Sequence, residues 1–125
     1  MTDTQMTAIA ARWMDVCGLA DLEPFWGEAA LVVGHQIAIV RLPGDRVYAV
    51  GNLDPIADAY VMSRGIVGSR GDRPTIASPL HKEVYDLETG ERLGAEGPGL
   101  GSYPVRVVDD RLEVLVPEAG EEFAA

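Results

Sequence analysis

The functional groups best placed by type to do chemistry in this chain are a carboxylate, a hydroxyl and an imidazole: Asp54, Ser78 and His81. Together they name a hydrolytic triad, but nothing around Ser78 resembles a nucleophile elbow, and Pro79 follows the serine directly. As metal ligands they are a poor set, because one histidine and one carboxylate make a weak site. Two further candidates stand apart from them. Cys17 is the only cysteine, so it can form no internal disulfide and cannot supply the four thiolates of a structural zinc or a plant-type iron–sulfur centre. With no basic neighbour in sequence to lower its pKa, it reads as a small inert hydrophobe. His35, in Gly34-His35-Gln36, falls at an expected hairpin tip, where solvation alone would satisfy it.

The elements that must hold these groups are strands. From Trp13 onward, short runs of Val, Ile, Leu and Tyr alternate with Gly, Asp, Asn and Pro, an all-β pattern. Ala30 to Val33 and Ile37 to Leu42 read as one hairpin, and Pro43-Gly44-Asp45 turns the chain into a strand from Arg46 to Val50. Val105, Val107, Leu112, Val114 and Val116 recur at every second position about an Asp109-Asp110 turn, which puts them on one sheet face. Between these segments, Gly51 to Gly101 is rich in Gly, Pro, Asp and Ser, and loops are expected to dominate it. Only Leu19 to Trp26 suggests a helical turn, limited by Pro24. Gly94 to Gly101 lacks the spacing of a nucleotide-binding loop and leads into a strand, so it reads as a plain connection.

Length and charge bound the possibilities. A chain of 125 residues suits one domain, expected over 1–117, with the acidic tail 118–125 too poor in apolar surface to order itself. A net charge of −10 repels phosphate backbones and anionic lipid headgroups, so nucleic acid and membrane are poor partners. Apolar runs such as Ile37 to Val40 are far shorter than the roughly 20 residues that span a bilayer. Met1 to Thr7 lacks the basic and apolar segments of an export signal, and a cytoplasmic location is expected.

Two stretches carry a resemblance that covers nearly the whole chain. Ser78-Pro79-Leu80-His81, followed by Tyr85-Asp86-Leu87 and Thr89-Gly90, resembles the second cluster loop of Rieske domains, Cys-Pro-x-His and then an aromatic-Asp-x-x-Thr-Gly turn. Asn52-Leu53-Asp54-Pro55-Ile56, with Ser63-Arg64-Gly65 beyond it, is similar to the first loop, Asn-x-Cys-Pro-His. On this resemblance Asp54 and Ser78 stand where the thiolates would be and Ile56 where an imidazole would be, leaving His81 as the one retained ligand type. A Rieske centre binds one iron through two thiolates and the other through two imidazoles. Ser63 to Gly68 and Ala77 to Lys82 look like the small subunit of NAD(P)H-dependent nitrite reductase.

That resemblance implies an all-β, Rieske-like antiparallel sandwich with two long motif loops and no cofactor in this chain. It implies a large catalytic subunit as partner, carrying FAD, an iron–sulfur cluster and sirohaem and reducing nitrite to ammonium. Ile56 and Leu80 are expected to pack into the space a cluster would take, so that removing a buried Ile56 would cost roughly 2–5 kcal/mol. His81 reads as an orphan ligand, a partner contact or a satisfied loop histidine. Arg64, Arg70, Arg73 and Lys82 gather four of the ten positive charges around the motif loops; they read as a solvated surface or as a docking patch. An independent Rieske-type ferredoxin and a non-enzymatic binding module are the competing readings.

Overall fold

Side chains on a strand alternate between two faces, so a run that is apolar at both parities must be covered on both. Ile37 to Leu42 is such a run, and in the computed structural model, which describes residues 10–118, it lies at the centre of the molecule. In chain order the strands are β1 (Ala11–Gly18), β2 (Gly27–Val32), β3 (His35–Leu42), β4 (Arg46–Gly51), β5 (Leu53–Asp54), β6 (Ala59–Tyr60), β7 (Ile66–Arg70), β8 (Arg73–Ala77), β9 (Val84–Asp86), β10 (Arg92–Leu93), β11 (Ser102–Tyr103), β12 (Val105–Val108) and β13 (Arg111–Pro117). They pair antiparallel in the orders β1-β13-β12, β11-β4-β3-β2 and β10-β9-β8-β7, with β5 and β6 as a separate small hairpin. Helical backbone among the described residues is confined to single 3₁₀ turns at Leu19–Asp21 and Met62–Arg64.

The middle sheet separates two cores. Ile37, Ile39, Val47 and Ala49 face Leu112, Val114 and Val116 of β13, while Ala38, Val40, Leu42 and Val50 face Met62, Ile76, Tyr85 and Leu87. The expected sandwich is therefore all-β and antiparallel, with its middle sheet shared between two packed layers. The closing hairpin forms as its alternation requires, with Val105 opposite Val114 and Val107 opposite Leu112. Asp109 and Asp110 both take the left-handed backbone of a two-residue turn, at φ 52° and 62°.

Three expectations need correction or completion. The segment Gly51 to Gly101 is mostly turns and loops, as expected, but it also carries the short strands β5 to β10, including the whole sheet of β7, β8, β9 and β10. Its strands are two to five residues long, and pairs such as Gly68 with Thr75 and Ser69 with Pro74 hide the alternation. The first hairpin turns at Val33-Gly34, so His35 pairs with Val32 as the first residue of β3. Its ring nitrogens face the Pro117 carbonyl at 3.2 Å and the Tyr103 hydroxyl at 3.4 Å, which gives it a structural place instead of a solvated tip. Glu118, the first residue of the expected tail, donates its N–H to Ala10 at 2.8 Å and pairs with Arg12 at 2.9 Å; residues 119–125 lie outside the described residues.

Candidate functional site

Each motif loop begins at a strand end and closes in the same way. In the first, the Asp58 N–H donates to the Asp54 carbonyl at 2.8 Å; in the second, the Lys82 N–H donates to the Ser78 carbonyl at 3.1 Å. Both closing residues take left-handed backbone, Asp58 at φ 55° and Lys82 at φ 67°. The leading side chain organises each turn from within, as Asp and Ser side chains do when they accept from nearby N–H groups. Asp54 Oδ1 accepts from Ile56 at 2.9 Å and Ala57 at 3.1 Å, and Ser78 Oγ accepts from Leu80 at 3.2 Å. The loops are joined where they start: the Ser78 hydroxyl donates to Asp54 Oδ2, and both residues are fully buried.

Two further supports set the spacing. Asn52 accepts the Ser63 N–H on its side-chain oxygen at 2.7 Å and the Met62 N–H on its carbonyl at 3.0 Å, which fastens the 3₁₀ turn to the first loop. Gly65 then crosses the end of β8 so closely that a Cβ there would overlap the Ala77 carbonyl oxygen. The Asp86 turn repeats the pattern of the first loop, its carboxylate accepting from Glu88 at 2.7 Å and Thr89 at 3.3 Å.

Burial works to raise the Asp54 pKa, yet the Ser78 hydroxyl, the Ala57 and Ile56 N–H groups and the nearby His81 outweigh it, and the carboxyl is held below its ordinary value. Tyr85 is pushed up by its burial and by the charges of Asp54 and Glu83, and its buried hydroxyl has no hydrogen-bond partner among the described residues. Cys17 lies on β1, away from these loops; burial, with Asp21, raises its pKa against the pull of Arg111, which keeps the thiol protonated at neutral pH.

The loops do not present the other positions as expected. Ile56 and Leu80 are 44% and 52% exposed, so neither fills the space between the loops. That space is closed by the direct bond from Ser78 to Asp54, and the second residue beyond each of these turns outward. His81 is exposed on the second loop. The four cations divide as well. Ile66 pairs with Ala77 and Arg70 with Arg73 at the other end of the same hairpin, about 13 Å away at the usual rise per residue. Arg64 and Lys82 are therefore at the loop end and Arg70 and Arg73 at the far end. Arg73 is already bound, its Nε 2.7 Å from the buried Asp86 carboxylate.

These side chains do not make a set that a [2Fe-2S] cluster takes. Iron–sulfur sites select soft thiolates, whereas Asp54 and Ser78 offer oxygens already engaged with each other and Ile56 offers no lone pair. No group of three or more His, Cys, Asp or Glu residues among the described residues is arranged to hold a metal ion. A separate cleft of about 440 Å³ lies beside β3 and β11, lined by His35, Gln36, Asn52, Tyr60, Gly101 and Tyr103 and by no Asp, Glu, Lys or Arg side chain.

Residues 12–115 match the model of the Rieske-like [2Fe-2S] domain. The chain is 35% identical over 100 residues to the Salmonella typhimurium NADH nitrite reductase small subunit, covering 79% of this chain and 93% of that one. It is 34% identical over 102 residues to a Klebsiella oxytoca nitrite reductase [NAD(P)H] large subunit, covering 82% of this chain but 11% of that one. Among solved structures, a Mycobacterium tuberculosis chain assigned as an NADH-dependent nitrite reductase small subunit superposes with a TM-score of 0.81 at 39% identity, covering 85% of this chain and 96% of that one.

Proposed function

The chain belongs to the Rieske-like [2Fe-2S] domain family and, within it, to the small subunits of NAD(P)H-dependent nitrite reductase, an oxidoreductase; on that premise we propose that it acts without a cluster, by binding the large catalytic subunit. The observation that carries this reading is the buried hydrogen bond between Ser78 and Asp54, which draws together, directly, two loops of the kind that elsewhere meet around iron and sulfide. The chain keeps the scaffold that presents the loops, and an oxygen-to-oxygen contact takes the bridging role. Flavin, iron–sulfur cluster and sirohaem then reside in the partner, where nitrite is reduced to ammonium in the cytoplasm.

Two observations support a binding role. The Klebsiella large subunit carries a matching segment within its own chain, which is what an obligatory neighbour looks like when the two are joined. Three of the ten cations, Arg64, Arg70 and Lys82, have side chains with no hydrogen-bond or ion-pair partner among the described residues, while the others are engaged. In a chain with twenty acidic residues, free cations are the exception, and they suit an acidic surface on another protein. Arg64, Lys82 and His81 form the loop-end part of that contact and Arg70 an outlying part.

The test is to purify the chain under anaerobic, iron-replete conditions and measure iron, acid-labile sulfide and visible absorption before adding the large subunit. Iron and sulfide near zero together with stable association are the expected result. A stoichiometric cluster with an EPR signal after reduction would instead establish the electron-carrier reading.

A further inference from the structure

The loop before β2 sorts its apolar residues in an unusual way. Leu19 and Leu22 are buried, whereas Phe25 and Trp26, only a few residues later, are 56% and 68% exposed. Adjacent exposed aromatics on a floppy segment would be unremarkable, but this segment is pinned. Arg41 donates from one guanidinium nitrogen to the carbonyls of Leu19 and Leu22, each at 3.2 Å. Its own carbonyl accepts the Phe25 N–H at 2.8 Å, and the Trp26 N–H closes onto the Glu23 carbonyl at 3.1 Å. Phe25 is held at φ 71°, a region that a bulky side chain rarely adopts and that is kept only where its surroundings over-determine it. Strained, fixed backbone that turns two large rings toward solvent adds nothing to the core.

The position of these rings relates them to the motif loops. Gly27 lies so close to the 3₁₀ turn that a Cβ there would overlap the Ser63 carbonyl oxygen. Trp26 and Arg64, whose side chain has no partner among the described residues, are each one residue from that contact. Gly65 and Ala77 carry the same surface on to Ile66, 59% exposed, and to the Ser78 loop with Leu80 and Lys82. Aromatic and arginine side chains grouped in this way are the composition of the energetically dominant part of a protein interface, and rings fixed before contact lose little freedom on binding.

Resting on the reading of the chain as an accessory subunit, we propose that Phe25 and Trp26 are the pre-organised anchor for the large subunit, inserted into an apolar recess whose rim is acidic and meets Arg64. A second copy of this chain is the less suitable occupant, since two molecules each at −10 repel.

Affinity for the purified large subunit is measured for wild type, Phe25→Gly and Trp26→Ala, alongside each variant's Tm and self-association. Glycine accepts the Phe25 backbone without strain, so Phe25→Gly is expected to keep or raise Tm while weakening association about tenfold or more, as Trp26→Ala does. In a Trp13→Phe background the Trp26 emission is expected to move to the blue on complex formation. Wild-type association with unchanged affinity in both variants would overturn the anchor and leave the subunit reading standing. No wild-type association would overturn that reading and the anchor with it. Self-association abolished by the variants would overturn the large subunit as occupant.

Discussion

A carboxylate with no exposed surface stays ionised only where donors converge on it, and at Asp54 these are the Ser78 hydroxyl and the N–H groups of Ile56 and Ala57. Ser78→Ala removes the one donor from the other loop and leaves a buried oxygen without it, a loss of about 1–3 kcal/mol expected in urea unfolding. Ile56→Ala, on an exposed side chain, is expected within about 0.5 kcal/mol of wild type in the same measurement. Because the folded Asp54 pKa lies below its unfolded value, near 3.9, its contribution is complete above that value and is lost as pH falls through the folded pKa. Asp54→Asn is therefore expected to flatten the acid limb of a stability-against-pH curve; an unchanged limb would show that Asp54 is not the group responsible. The residue types at Asp54 and Ser78 were legible from the motif, but their bond was not. Side chains at ligand positions suggest an empty space to be filled by Ile56 and Leu80, and only the turn geometry shows these pointing out.

At the scale of elements, the strands that alternate cleanly were legible: the closing hairpin, and the two-faced apolar run of β3. The sheet formed by β7 to β10 was not, because its strands are short and spend pairing positions on Gly68, Ser69 and Pro74. The left-handed Phe25 was equally hidden, since no local rule places an aromatic there. What positions the site is close backbone approach around the 3₁₀ turn Met62–Arg64, and that makes a sharp prediction. Gly65→Ala pushes a methyl into the Ala77 carbonyl at the start of the second loop. A destabilisation of about 1–3 kcal/mol is expected from overpacking, together with weakened binding of the large subunit. Full stability in denaturant titration would mean that the turn can shift without cost.

At the scale of the molecule, two packed cores share one central sheet, the 3₁₀ turn Met62–Arg64 sinks Met62 into one of them, and Ile56, Leu80 and the exposed aromatics are carried outside. The charge follows the same division: the engaged cations tie the scaffold together, and Arg64 and Lys82 remain available at the loop end. Such a body is suited to hold a surface toward a partner, and among its described residues no group of three or more His, Cys, Asp or Glu is arranged to hold a metal ion. The direct test is to titrate the chain, shown beforehand to contain no iron, into the large subunit while following nitrite-dependent oxidation of NAD(P)H. A rise in turnover that saturates at a fixed ratio of the two chains is expected, and no change in turnover together with no complex would contradict the accessory-subunit reading.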